Sequence, residues 1–163
     1  MKNKVAYFGV LLALALIFSY VETLIPINFG IPGVKLGLAN LIIVVGLNKI
    51  STSELYLLDI LRVLISGFIF ANGFAIIYSL TGAIISLTVM VLLNRIKGFS
   101  LLGISAAGGV FHNIGQLIVA IFVVNTLSIS YYFPILLISG LVTGIVIGIV
   151  TNEVNKRLKI PEM

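Results

Sequence analysis

The sequence predicts an all-α, polytopic membrane bundle of six crossings, and three observations carry that reading. Of 163 residues, 60% are hydrophobic and only 9% are charged, where an ordinary soluble domain has roughly 25% charged residues. The apolar residues fall in long runs divided by short polar or helix-breaking segments. The basic residues sit in alternate connections between those runs, the asymmetry that orients membrane proteins. Mean hydropathy is +1.26. A soluble domain must cover the surface left outside its core with polar groups, and this chain lacks them. A water-soluble globular enzyme is therefore excluded.

The first run, 5–24, follows Lys2 and Lys4 and so resembles a signal peptide. Its one cleavage-like triplet, Ala13-Leu14-Ala15, lies inside the apolar run rather than after it, so a retained first helix is expected. Pro26, Gly30, Pro32 and Gly33 then break the chain. The apolar residues of this 25–35 loop suggest that it lies against the protein as a lid. A short span is expected at 36–47. Ser53 is a suitable N-cap for the next, at 54–70. The uncharged stretch from Val63 to Asn94 is too long for one crossing, and Ala71-Asn72-Gly73 divides it, giving a span at 74–93. The uncharged stretch from Gly98 to Asn152, broken at 125–134, gives spans at 102–124 and 134–150.

With the N-terminus in the cytoplasm, the cytoplasmic segments hold Lys2, Lys4, Lys49, Arg95, Lys97, Lys156, Arg157 and Lys159, and the external ones hold only Lys35. That bias predicts both termini inside. The net charge of +5 thus reads as topology rather than as a nucleic-acid footprint. The expected setting is a multi-pass protein of the cell membrane, such as a bacterial cytoplasmic membrane, in contact with its lipids and with no nucleic acid.

Ionisable residues within a span are costly and usually face the bundle interior. Glu22 lies near the outer end of the first span, either as an interface anchor or as part of a site. Asp59 and Arg62, three residues apart on one helix, permit an ion pair. That pair is either a structural lock or leaves Arg62 to hold a ligand anion. His112 and Gln116 are one turn apart with Asn113 beside them, about 15 Å into the fifth span. One such residue would serve as interhelical glue. Three together, flanked by Gly108, Gly109 and Gly115, point to a cavity lining or to contact with a close-packed helix, with a functional site favoured. Asn40 and Asn72 are weaker candidates.

The spacing Gly140-x-x-x-Gly144-x-x-x-Gly148 cuts a smooth groove along the last helix. Gly9 with Ala13, and Ala15 with Ser19, give small-residue pairs on the first. Such spacings let backbones approach closely, within the bundle or against another subunit. The chain has no Cys and one His, which excludes disulfides, Fe–S ligation, a cysteine nucleophile and a multi-His metal site. Gly30 to Lys35 superficially resembles a phosphate loop, but Leu36 replaces the Ser/Thr and no strand precedes it. A single Asp, Asp59, falls short of the several needed to hold Mg²⁺ around a diphosphate. No catalytic residue, metal or cofactor is expected.

Three stretches carry a resemblance. They are Gly33-Val34-Lys35-Leu36-Gly37-Leu38-Ala39-Asn40; Leu61-Arg62-Val63-Leu64 with Asn72-Gly73 beyond it; and Gly108-Gly109-Val110-Phe111-His112-Asn113-Ile114-Gly115-Gln116. In order and spacing they resemble the Gx transporter family, whose members are often labelled heptaprenyl diphosphate synthase component I. That family is similar to the substrate-binding S components of energy-coupling-factor transporters. The resemblance implies a six-helix bundle that captures a vitamin-like molecule from outside and works with a membrane coupling subunit and two ATPases. It also implies that small residues of the first helix (here Gly9, Ala13, Ala15 and Ser19) meet the coupling subunit, although Ala13, Ala15 and Ser19 depart from a strict Ala-x-x-x-Ala pattern.

The expected function is therefore a substrate-capture subunit for a small amphiphilic, anionic or carbonyl-rich molecule. Its pocket would be lined by Lys35, Asn40, Arg62, Asn72, His112, Asn113 and Gln116. The alternative is an accessory membrane subunit of prenyl-quinone synthesis or of flavin- and quinone-linked electron transfer.

Overall fold

The computed structural model describes residues 2–25 and 37–157. They form six α-helices, α1 (Lys2–Leu24), α2 (Leu38–Gly46), α3 (Thr52–Phe70), α4 (Gly73–Arg95), α5 (Leu101–Val124) and α6 (Phe133–Arg157), with a 3-10 helix, Leu127–Tyr132, before the last. The described residues contain no strand. The expected lid and Lys35 lie outside them.

Four segments are long and apolar enough to cross a membrane: Lys4–Leu24, Gly73–Arg95, Leu101–Val123 and Leu127–Arg157. The other two helices differ for separate reasons. The nine residues of α2 rise only about 13.5 Å, less than half of a hydrocarbon core. The nineteen residues of α3 are long enough, but Glu54, Asp59 and Arg62 lower its apolar character. By length and hydropathy alone, then, the structure has four spanning segments among its described residues, not six.

Local chemistry sets the helix starts. Gly37 precedes α2 with φ 69° and ψ 29°, a left-handed conformation that glycine adopts without strain. Helix α3 begins two residues earlier than expected, because Ser51 rather than Ser53 is its N-cap. The Glu54 amide donates to Ser51 Oγ, while the Ser51 amide donates back to Glu54 Oε2 at 2.9 Å. This reciprocal box requires an acidic partner three residues on, which Ser53 lacks. Asn72 caps α4 by accepting the Ala75 amide at 2.8 Å, and Ser100 caps α5 by accepting the Gly103 amide at 3.1 Å. At its far end α6 runs seven residues past the expected boundary. The Lys156–Glu153 pair at 2.8 Å and the basic last turn favour continued helix there.

The short α2 is the most enclosed element, with Ala39 and Ile42 through Gly46 all buried. Around it gather Leu11 and Ala15 of α1, Leu55 and Leu58 of α3, Leu87 and Met90 of α4, Ile104 of α5 and Ile147 of α6. Every α-helix thus contributes to one core. On the other side α5 packs extensively against both α4 and α6, and glycines make those contacts close. A Cβ on Gly115 would lie 2.8 Å from Gly82 Cα, and one on Gly148 would lie 2.9 Å from Leu102 Cα. One on Gly109 would collide with the Gly140 carbonyl. The Gly140, Gly144, Gly148 groove is therefore filled by α5 of the same chain. Ser105 Oγ donates across that contact to the Gly144 carbonyl at 2.7 Å.

Candidate functional site

A cavity of about 130 Å³ opens between the helices, with lining residues drawn from all six. Its first polar group comes from α2 and α3. The i,i+3 spacing places Asp59 and Arg62 on one face of α3, as the sequence predicts. Arg62 Nε donates to Asp59 Oδ1 at 3.1 Å, and Nη2 donates to the same oxygen. Nη2 also reaches Asn40 Oδ1 at 3.3 Å. Asp59 is 4% exposed and Arg62 8%. Burying the charges together offsets what either would cost alone in a low-dielectric interior. Arg62 thus borders the cavity with its charge matched by Asp59.

The second group comes from α5. His112, Asn113 and Gln116 all line the cavity, as their spacing suggested. They differ in role. Asn113 Nδ2 donates to α6, to the Leu136 carbonyl at 2.7 Å and to Ser139 Oγ at 3.1 Å. It is interhelical glue as well as lining. Gln116 is 1% exposed, and its Oε1 accepts no hydrogen bond from the described residues. An unsatisfied buried acceptor carries a desolvation penalty of about 1–3 kcal/mol. His112 is half-buried, and its backbone carbonyl would lie 2.8 Å from a Cβ on Gly82, so the glycine is what lets α4 approach it.

Of the remaining candidates within the described residues, only Ser19 borders the cavity. Asn72 is exposed, serves as the cap of α4 and is not among the cavity lining. A side chain that must satisfy an orphan helix amide is held at the helix end, which explains why it does not turn inward. Glu22 accepts the Gly37 amide at 2.6 Å and so fastens the end of α1 to the start of α2. The four small residues of α1 do not share a face. Gly9 and Ala13 are exposed, whereas Ala15 is fully buried and Ser19 lines the cavity. The step of six residues from Gly9 to Ala15 turns a helix by about 240°, away from the outer face.

Sequence reasoning missed the hydroxyl groups. Ser66, Ser79, Ser86, Ser105 and Thr143 also line the cavity. The available signal was weak: Ser66 lies one turn after Arg62, and Ser79 and Ser86 are two turns apart on α4. Serine and threonine are common in spanning helices as packing residues, so their positions alone do not mark a site. Among the described residues no group of three or more His, Asp and Glu side chains could hold a metal ion.

Residues 11–154 match the family described as heptaprenyl diphosphate synthase component I. The chain belongs to that family. The match includes α2 through α5 entire, and with them Asn40, Asp59, Arg62, His112, Asn113 and Gln116. No curated protein and no solved structure matches the chain. For this component I protein the site is thus defined by its geometry: a space between the helices, Arg62 with its Asp59 partner behind it on one wall, and amides and hydroxyls on the others. Such an arrangement can bind and orient a small molecule.

Proposed function

We propose that this chain is the substrate-capture subunit of a membrane transporter, holding a small amphiphilic molecule in the cavity between its helices. The observation that carries the reading is the convergence of Asn40, Arg62, His112, Asn113 and Gln116 on one cavity. These residues come from three helices, and interhelical glue alone does not require an opening between them. In this reading the chain crosses the cell membrane six times with both ends in the cytoplasm. Helix α2 is too short to span alone. A membrane coupling subunit with ATPases would dock on the exposed Gly9 and Ala13 face of α1. The role is binding, not catalysis.

The family description favours a second reading, an accessory membrane subunit of prenyl-quinone synthesis or linked electron transfer. "Component I" implies a further component in the same complex. Against a catalytic part in diphosphate chemistry, Asp59 is the chain's sole aspartate and is engaged by Arg62.

Two measurements test the first reading. Reporter fusions after Met163 and within 126–132 should report opposite sides of the membrane, and the same side for both would refute the topology. Small molecules extracted from the purified protein should include one that His112→Ala and Lys35→Ala retain less well than the parent, with membrane insertion unchanged. Equal retention by both variants would place the pocket elsewhere.

A further inference from the structure

A cavity of about 130 Å³ is small for an amphiphilic ligand. An engineered apolar cavity of about 150 Å³ holds a single benzene ring. Anything larger needs one wall to give way. Most of the walls are pinned. Helix α5 meets α4 and α6 backbone to backbone: a Cβ on Gly82 would lie 2.8 Å from the His112 carbonyl, and one on Gly144 would lie 2.7 Å from Ala106 Cα. Ser86 Oγ of α4 donates across to the Gly108 carbonyl of α5 at 2.8 Å. Helix α2 lies in the core, as do Leu55, Leu58 and Val63 of α3. A Cβ on Gly67 of α3 would collide with Ile76 of α4. The C-terminal end of α1 differs. Leu11 and Ala15 are buried, but none of residues 16–24 is. Phe18 reaches the core only partly buried, and Ser19 and Thr23 border the cavity. Among the described residues, this end is fastened to α3 by the rings of Tyr20 and Phe70, with centroids 5.1 Å apart. It is fastened to the start of α2 by the Gly37 amide, which donates to Glu22 Oε1 at 2.6 Å.

We propose that the C-terminal end of α1, residues 16–24, is the gate of the cavity, latched by the Tyr20–Phe70 and Glu22–Gly37 contacts. This rests on the reading of the cavity as a ligand site. Segments with few buried apolar contacts open locally at low cost, whereas tightly packed ones open only with the whole fold. No glycine or proline follows Gly9 in α1, so the helix moves as a rod and does not kink. It pivots on its packed residues, Leu11 and Ala15. The latch suits this role. One ring contact and one hydrogen bond can break and re-form without disturbing the core. Phe70 belongs to both latch and lining, and Ser19 and Thr23 lie on the gate itself. A molecule in the cavity therefore touches both sides of the seam and holds it closed.

The chain has no cysteine, so one introduced thiol reports access to the cavity. Ser79→Cys places it on the α4 wall. The full-length protein in lipid nanodiscs is treated with a negatively charged methanethiosulfonate, which does not cross lipid, and the labelling rate is read by mass spectrometry. In the Ser79→Cys background, Tyr20→Ala and Glu22→Ala should each raise that rate about tenfold, as a gate equilibrium shifted by about 1.4 kcal/mol would. Tyr20→Phe keeps the ring and should leave the rate unchanged. So should Ile17→Ala, which alters an exposed residue of the same helix outside the latch. Thr126→Cys, exposed and away from the cavity, should label at one rate in every background, as expected if all variants fold and insert alike. Equal labelling of Ser79→Cys with and without the latch, or equal acceleration by Ile17→Ala, would overturn the gate while leaving an accessible cavity. No labelling of Ser79→Cys in any background would overturn the gate and the ligand-site reading together.

Discussion

Replacing Asp59 with alanine should destabilise the protein by about 3–5 kcal/mol, the usual cost of leaving one partner of a buried ion pair uncompensated. The cause is Arg62, which is 8% exposed and whose guanidinium would keep only its bond to Asn40 Oδ1. The double variant Asp59→Ala/Arg62→Ala should be more stable than Asp59→Ala alone, because no isolated charge remains. Thermal unfolding of the two single variants and the double variant, in one detergent and without added ligand, checks both statements. If Asp59→Ala melts with the parent while Arg62→Ala abolishes ligand retention, the pair is not a lock and Arg62 serves the ligand directly.

Glycine packing should produce the next largest effect. Gly109→Ala places a Cβ against the Gly140 backbone carbonyl and the Cα of Gly144, neither of which can rotate away. Helix α5 must then move off α6, and overpacking of this kind costs about 1–3 kcal/mol or more. The shift would also widen the contact crossed by the Ser105 and Asn113 hydrogen bonds. Gly9→Ala is the internal control. No atom lies within 4 Å of its Cβ position, so the change should be neutral or stabilising by up to about 1 kcal/mol through helix propensity. Equal melting of the two variants would show that α5 and α6 are not in the close contact described.

These two sites also mark what sequence could and could not disclose. The Asp59–Arg62 pair was legible because it depends only on spacing along one helix. The breaks at 71–73 and 125–134 were legible because glycine, asparagine and proline act locally. The Gly140, Gly144, Gly148 groove was visible as a groove, but its occupant was not. Which helix fills it is a tertiary fact, and the answer is Gly109, Ser105 and Leu102 of α5. Asn113 looked like part of a site because three polar residues stood together. Its partners, the Leu136 carbonyl and Ser139, lie on α6 and leave no trace in local spacing. The start of α3 was misplaced because two serines competed for it, and only the position of Glu54 decides between them. The hydroxyl lining escaped notice because a serine that bonds to a backbone carbonyl has the same sequence signature whether or not it borders a cavity. The two faces of α1 were merged because two small-residue pairs, each on one face, were grouped into a single interface without following the 100° turn per residue between them.

The account depends most on the cavity being occupied in the functional protein. Native mass spectrometry of the full-length parent and of Ser79→Phe is the most direct test. Ser79 lines the cavity and makes neither the Asp59–Arg62 pair nor the Asn113 contacts, so a phenylalanine there takes up space without removing those polar groups. The account predicts a small-molecule adduct on the parent that is lost from Ser79→Phe, with both proteins folded and inserted. A parent that carries no adduct, or the same adduct on both proteins, would contradict it.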